Sequence, residues 1–481
     1  MAETQIYLGS TWGDTGKGEQ NYRTVRDAVI SKGLKNPEYA AKLLRNPFGV
    51  LEHGQVVFNV APYGAGNAGN NIYLDTGTRV KTHQLPPGAL VTPYTLSMLG
   101  GLKTINLQTL WEREITKANE SGVDIKPGNN LFIDQYATLT LPQDIAFDEA
   151  LSAYLRGTKQ GSGPSHARRK HRVDLRAGDL WNLEHPEVTE RLRKGIDLYN
   201  ENLRARGKKE CGFDETIDWL TTWRERYGRD FVVDGEELIQ LAVNNPDAFL
   251  FINGTQGLCL DGDFGTIGRG VSYGVGVQDA MKGCYLPLNF CDNNDVRIFI
   301  VVKGYNTRAG DGLFPGELDS DEAEKLGRIG EEIGVTSGNV RRIGAFNIAE
   351  LSYQVRQTGP GITSLIITRL DTYGDYMEEA GPQRAVLGYE TSGGKVKDHV
   401  SFPGEGSEIV WSPEFHWGKI SESERRRMID GGFDKLDPGI QEFAVMVAKY
   451  TGAPISGLAM GQYHTDTVTK GLYEETSQVI T

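Results

Sequence analysis

Gln5-Ile6-Tyr7-Leu8 runs directly into Gly9-Ser10-Thr11-Trp12-Gly13-Asp14-Thr15-Gly16-Lys17-Gly18. The first four residues read as a buried strand, so the glycines, the lysine and the carboxylate stand at that strand's C-terminal end. In open α/β sheets this is where ligands bind. Glycines let backbone N–H groups approach phosphoryl oxygens, Lys17 supplies a point charge, and Asp14 can hold Mg2+ or take a proton. The spacing is not that of Walker A: six residues, 10–15, separate Gly9 from Gly16-Lys17, and Gly18 follows where Ser or Thr belongs. By itself the loop is open to two readings, a nucleotide site or a glycine-rich turn with a solvated lysine. A helix N-cap is the structural alternative for Asp14.

Working outward, short apolar runs recur at Val56-Val57-Phe58, Phe249-Leu250-Phe251-Ile252, Ile298-Phe299-Ile300-Val301-Val302 and Leu365-Ile366-Ile367-Thr368. Each is continuous and bounded by polar or glycine-rich sequence, as in strands covered on both faces. Helical patterns lie between them. Asp234 precedes Glu237 by three, a capping-box-like start; Leu238, Leu241 and Ala242 share a face; Asn244-Asn245-Pro246 ends the helix. The alternation predicts an α/β fold, a mostly parallel central sheet flanked by helices. With no internal repeat, low-complexity tract or obvious linker, a single domain over 1–481 is the simpler organisation.

Composition narrows the function. A formal charge of −13 over 481 residues argues against general affinity for nucleic acid or anionic membranes. No apolar run reaches the length of a membrane span, and no secretory leader is visible at the N-terminus. Cys211, Cys259, Cys284 and Cys291 show no Cys-x-x-Cys spacing, so neither a zinc site nor a disulfide framework is indicated, and a reducing cytoplasm fits.

Trp-Gly-Asp-x-Gly-Lys-Gly resembles the signature of the adenylosuccinate synthetases, which join aspartate to IMP using GTP. Further motifs follow in the family's order: Gly64-Ala65-Gly66-Asn67-Ala68-Gly69-Asn70, His83-Gln84-Leu85-Pro86-Pro87-Gly88, Gly254-Thr255-Gln256-Gly257, Tyr305 to Pro315, Thr336-Ser337-Gly338 and Thr368-Arg369-Leu370-Asp371. The resemblance implies an adenylosuccinate synthetase-like fold with a P-loop-like phosphate loop. Against it, residues of about 20–53 and 185–230 stand out as helical insertions. Trp219 and Trp223 in the second read as packing groups rather than a ligand box.

The resemblance also implies a chemistry. A 6-oxo group leaves a purine poorly; a general base near N1 makes O6 nucleophilic, O6 takes the γ-phosphoryl group, and an amine displaces phosphate from C6. Asp14 falls at the base position and would also contact Mg2+, with the carbonyl of Gly69 as a second metal contact. Gln256 matches the glutamine that bonds the substrate base, an amide able to donate to O6 without titrating. Gly13, Thr15, Gly16, Lys17 and Gly18 fall at nucleotide phosphates. Asp371 would accept N1–H and the 2-amino group of guanine, with Arg369 stacking on the base and Gly461 on the pocket's other side, so GTP is favoured over ATP. Asn67 and Thr158 match contacts to a purine nucleoside monophosphate. Arg172 matches one that reaches across from a second subunit, which implies a homodimer. Thr336, Ser337 and Arg341 fall in the loop that grips the amino acid, aspartate in the family. Taken without the family, His166-Ala167-Arg168-Arg169-Lys170-His171-Arg172 is either a solvated cationic face or a phosphate partner.

The pattern also breaks. The histidine that assists phosphoryl transfer is Asn70 here, which can donate a hydrogen bond but cannot carry a proton; His83 is the nearest histidine in sequence, with packing in its own turn as the plainer role. The amino-acid loop continues Asn339-Val340-Arg341-Arg342, with two of the family's cationic positions lost. Around Phe264 to Tyr273 only Gly265-Thr266 remains of the family's sequence. Such remodelling suggests a divergent branch. Phage enzymes that make 2-aminoadenylosuccinate from dGMP are one, although their mark is loss of the base aspartate, and Asp14 is present. An IMP-like substrate ranks first, a deoxy or modified purine nucleotide second, and another amino acid is open for either. A nucleotide-binding homologue without catalysis, and an ordinary GTPase, are the rival classes.

Overall fold

Each apolar run seeds a strand longer than itself, because flanking residues continue the backbone ladder once the β-branched centre is buried. Gln5 to Leu8 lies within Glu3–Gly9, and the later runs lie within Val56–Gly64, Ala248–Gly257, Val296–Lys303 and Thr363–Thr368. The computed structural model describes residues 2–155, 158–265, 270–287, 289–293, 295–309, 312–332, 341–359, 363–391, 393–394, 396–397, 408–461, 463 and 465–480. By internal contact the chain divides into one unit of Met1–Ile6, Asn21–Thr255 and Val271–Val296 and another of Tyr7–Gln20, Gln256–Gly270 and Arg297–Thr481.

In the first unit the strands run in the order Ala248–Gly257, Val56–Gly64, Leu96–Ile105, Leu131–Asp134 and Val232–Val233, with every neighbouring pair parallel. Phe58 sits opposite both Leu250 and Leu96, and all of Val56–Gly64 is buried, as a central strand between helical layers must be. Helix Gly235–Asn244 starts where Asp234 accepts from the N–H groups of Glu236 and Glu237 (3.1 and 3.2 Å), offsetting two orphan donors. Helices Pro37–Arg45 and Pro47–His53 begin at the side-chain caps Asn36 and Asn46, each followed by proline. Trp223 and Tyr227 of helix Phe213–Tyr227 enter the core, and Trp219 packs against it.

The second unit carries Val296–Lys303, Thr363–Thr368 and Ile455–Ala459 in parallel, with Thr467–Val468 antiparallel at the edge. Its core stacks Ile300, Val302, Leu365 and Ile367 under Tyr373, Trp417 and Phe443. The buried Trp417 Nε1 donates to Leu370 O at 2.9 Å, so its ring adds apolar area without an unpaired donor. Among the described residues no helix is long and apolar enough to cross a membrane, and all four cysteines are free.

Candidate active site

In the second unit, the chain beyond Gly9 turns through Thr11, Gly13, Asp14 and Gly16 at φ of 39°, 77°, 55° and 77° before helix Lys17–Ser31 begins. Glycine accepts that region at no cost; Thr11 and Asp14 are held there by their surroundings. Ser10 N–H donates to Val301 O at 3.0 Å, Thr11 Oγ1 to Asn306 Oδ1 at 3.2 Å, and Gln354 Nε2 to Gly9 O at 2.7 Å. A Cβ on Gly9 would stand 2.1 Å from Gln256 O, and one on Gly257 the same distance from Ser10 O. These glycines let the Asp14 loop interlock with the turn carrying Gln256, itself at φ 62°. Lys17 is buried at the helix start, and the Arg308 guanidinium lies 4.0 Å from the centre of the buried Trp12 ring.

Asp14 does not stand alone. Its Oδ2 accepts from Lys303 Nζ at 3.2 Å and pairs with Arg341 Nη1. Both cations also meet Glu332: Lys303 Nζ reaches its two oxygens at 2.9 and 3.0 Å, and Arg341 Nη1 its Oε2 at 2.9 Å. Tyr305 donates to Glu332 Oε1 at 2.6 Å. Burial pushes the Glu332 carboxyl up, but Lys303, Tyr305 and Arg341 outweigh it and hold it at about 2. Two carboxylates thus face two cations. Arg342 is committed elsewhere, its Nε donating to Glu317 Oε1 at 2.6 Å and its Nη1 to Gly312 O at 2.7 Å.

Thr368 ends its strand by donating from Oγ1 to Thr15 O at 2.8 Å, which brings Arg369 and Asp371 to the loop. Arg369 takes φ 64° and caps helix Leu370–Ala380. Burial pushes the Asp371 carboxyl up, and its buried Oδ1 has no hydrogen-bond partner among the described residues. An acceptor left so costs about 1–3 kcal/mol unless a ligand satisfies it. Gly461 lies against Asp466, where a Cβ would meet Oδ2 at 2.1 Å.

The remaining expected contacts lie in the first unit. Tyr273 OH donates to Asn67 Oδ1 at 3.1 Å. Asn70 opens strand Asn70–Tyr73 and reaches Thr82 Oγ1 at 3.4 Å across the hairpin. His83 Nδ1 lies 2.6 Å from Ala68 O, so His83 braces the loop before Gly69 by donating from Nδ1, while Glu114 accepts the N–H groups of His83, Gln84 and Leu85. Thr158 and Arg172 are exposed. The cationic run is divided between roles: Arg168 is fully buried on Asp144 (2.6 Å), Arg169 donates to Gly101 O at 2.9 Å, and His166 is held neutral, lowered to about 4 by burial and by Arg169 and Lys170.

Thr336 and Ser337, expected to grip an amino acid, and Thr266 lie outside the described residues. Sequence reasoning missed Lys303, Glu332 and Gln354. A lysine ending an apolar strand was the available signal for the first; Glu332 carried none, following a helix with no motif around it. Among the described residues no group of three or more His, Cys, Asp or Glu side chains forms a metal cage. A single carboxylate still suits Mg2+, which takes one or two carboxylates and draws its other oxygens from phosphate and water.

The family model described as adenylosuccinate synthetase matches residues 52–468. The adenylosuccinate synthetase of Caldanaerobacter subterraneus subsp. tengcongensis is 28% identical over 96% of this chain and 98% of its own. That of Clostridium perfringens is 27% identical over 96% and 98%. Among solved structures, the fully ligated adenylosuccinate synthetase of Plasmodium falciparum superposes with a TM-score of 0.77 at 22% identity, covering 98% of this chain and all of its own. The succinoaminodeoxyadenylate synthetase of cyanophage S-2L, bound to dGMP and dATP as an energy donor, gives 0.54 at 15% identity with both chains fully covered.

Proposed function

The chain belongs to the adenylosuccinate synthetase family and is a C–N ligase acting on purine nucleotides, and from that premise we propose that it joins aspartate to C6 of IMP at the expense of GTP. The observation that carries this reading is the interlock of the Asp14 loop with the Gln256 turn, because proton removal from N1 and hydrogen bonding at O6 must act on one ring. Asp14 takes the N1 proton; O6 forms a bond to the γ-phosphorus as the bond to the β,γ-bridging oxygen breaks, its electron pair leaving with GDP. The aspartate amine then displaces phosphate from C6. Gln256 donates to O6, and the backbone from Gly13 to Gly18 with Lys17 cradles the nucleotide phosphates. The unpartnered Asp371 Oδ1 supports guanine as the base, with Arg369 and Gly461 beside it.

Mg2+ would be held by Asp14, where it would neutralise charge on the phosphates. Asn67 and Thr158 hold the monophosphate, and the exposed Arg172 reaches a neighbouring subunit of a homodimer. Asn70 donates a hydrogen bond where the family has a proton-carrying histidine, which lowers the rate of transfer without removing the base. A single family-type domain over 1–481 in the cytoplasm, with the helices of about 20–53 and 185–230 as insertions, is part of the same proposal. A second reading, a deoxy or modified purine nucleotide or another amino acid, draws on Asn70 and on the commitment of Arg341 and Arg342 to carboxylates. Phosphate release from GTP, measured over IMP, dGMP and a panel of amino acids, tests both. Release that requires IMP and aspartate supports the first; a requirement for dGMP selects the second; release with water alone or none at all refutes both.

A further inference from the structure

Resting on the reading of Gly13 to Gly18 as the cradle for nucleotide phosphates, we propose that Gln354 is a positioning residue of that loop. Its carboxamide ties Gly9 to Thr11 and holds the left-handed turn through which the chain enters the loop.

Gln354 lies on the side of helix Ile348–Thr358 that buries Leu351 and Val355 in the core, and it is 3% exposed. The helix is fixed at its start, where Asn347 Oδ1 accepts from the Glu350 N–H at 3.0 Å and Asn347 Nδ2 donates to Tyr389 OH at 2.7 Å. A carboxamide taken out of water is tolerated where both of its ends are bonded. Here Nε2 donates to Gly9 O at 2.7 Å, and Oε1 accepts from the Thr11 N–H at 3.3 Å. These two backbone groups flank Ser10, whose own N–H donates to Val301 O at 3.0 Å. One side chain therefore takes the place of a residue in a parallel neighbouring strand, just where strand Glu3–Gly9 ends.

Thr11 is where the chain leaves the sheet. Its φ of 39° is a conformation that a β-branched residue keeps only when its surroundings impose it. Each of its polar groups is committed: the N–H to Gln354, Oγ1 to Asn306 Oδ1 at 3.2 Å, and the carbonyl to the Cys259 N–H at 2.9 Å. Gln354 also holds Gly9 O, so it fixes the chain on both sides of Ser10. Without the carboxamide the Gly9 carbonyl and the Thr11 N–H lose these bonds, Thr11 relaxes toward negative φ, and GTP must restore the turn as it binds. Apparent affinity then falls with the fraction of chains that still hold the turn. The monophosphate contacts expected at Asn67 and Thr158 belong to the other unit and do not draw on this turn.

The test is calorimetric titration of the full chain and of Gln354→Met and Gln354→Glu with GTP and Mg2+, and separately with IMP or dGMP, whichever the parent binds. Methionine keeps the length and removes both bonds; glutamate keeps the acceptor for the Thr11 N–H and sets a carboxylate against Gly9 O. A positioning role predicts GTP binding weakened about tenfold or more in both variants, equivalent to about 1.4 kcal/mol, while the monophosphate binds within about threefold of the parent. Parental GTP affinity in a folded variant, even with a lower melting temperature, would show Gln354 to be a strut of the core and overturn the proposal, as would equal losses for the two nucleotides. If neither variant folds, amide hydrogen exchange across residues 9–18 of the parent decides: protection before GTP is added supports the proposal, and protection gained only with GTP overturns it. A parent that binds no GTP removes the reading of the loop as a phosphate cradle, and this inference falls with it.

Discussion

Replacing Lys103 by methionine is expected to stabilise the protein at neutral pH and to lose that advantage in alkali. Lys103 lies in strand Leu96–Ile105 opposite Gly64, 1% exposed, with Nζ 3.4 Å from Tyr63 O. Burial lowers its pKa from 10.5 to about 8, with Glu114 opposing. One pKa unit is worth about 1.4 kcal/mol, so keeping this ammonium charged costs the fold about 3 kcal/mol below pH 8. Between pH 8 and 10.5 the unfolded chain holds a proton that the folded chain has released, so parental stability rises with pH across that window. Methionine fills a similar volume without the charge; after about 1 kcal/mol for the lost hydrogen bond, the variant gains about 2 kcal/mol at pH 7 and close to nothing near pH 10. Urea denaturation of both proteins at several pH values reads the difference directly, with other titrating groups cancelling. A difference that stays constant from pH 7 to pH 10 would refute the buried, charged lysine.

Asp144→Asn strands the fully buried Arg168 and should cost about 3–5 kcal/mol, read as a large fall in the denaturation midpoint; a loss below about 1 kcal/mol would mean that water reaches the pair. His166 is kept neutral to about pH 4, so the unfolded chain binds the extra proton between 6.5 and 4 and stability falls as pH drops through that window. The His166→Phe variant should show a flatter acid limb, and an unchanged limb would remove His166 as its source. Asp371→Asn should narrow the preference for GTP over ATP in competition binding by about 1.5–3 kcal/mol, the worth of a charged hydrogen bond; an unmoved preference would put the base pocket elsewhere.

What was legible in the chain followed from short-range rules. Apolar β-branched runs gave the parallel strands from Val56, Phe249, Ile298 and Leu365, and the Asp234 cap marked a helix start because capping is decided within three residues. The glycine spacing placed Asp14 at a strand end, and the packing limits at Gly9 and Gly257 explain why glycine stands there. Charge pairing over long separations was not legible. Asp14 meets Lys303 from 289 residues away in the chain, and no local pattern announces that pairing. The run from His166 to Arg172 shows the same limit: its residues look alike in sequence, yet Arg168 is sealed in the core and Arg172 is exposed. Arg168 lies on the buried side of helix Ser162–Lys170, whereas Arg172 follows the helix end at φ 63°.

Capture of the terminal phosphoryl group by the purine's own oxygen is the step on which the proposed function turns. IMP labelled with oxygen-18 at its 6-oxo position, incubated with GTP, Mg2+ and aspartate, should yield inorganic phosphate carrying one labelled oxygen, with no label transfer in Asp14→Asn. Unlabelled phosphate from a turning-over enzyme would mean that water, and not O6, attacks the γ-phosphorus, and would contradict the account.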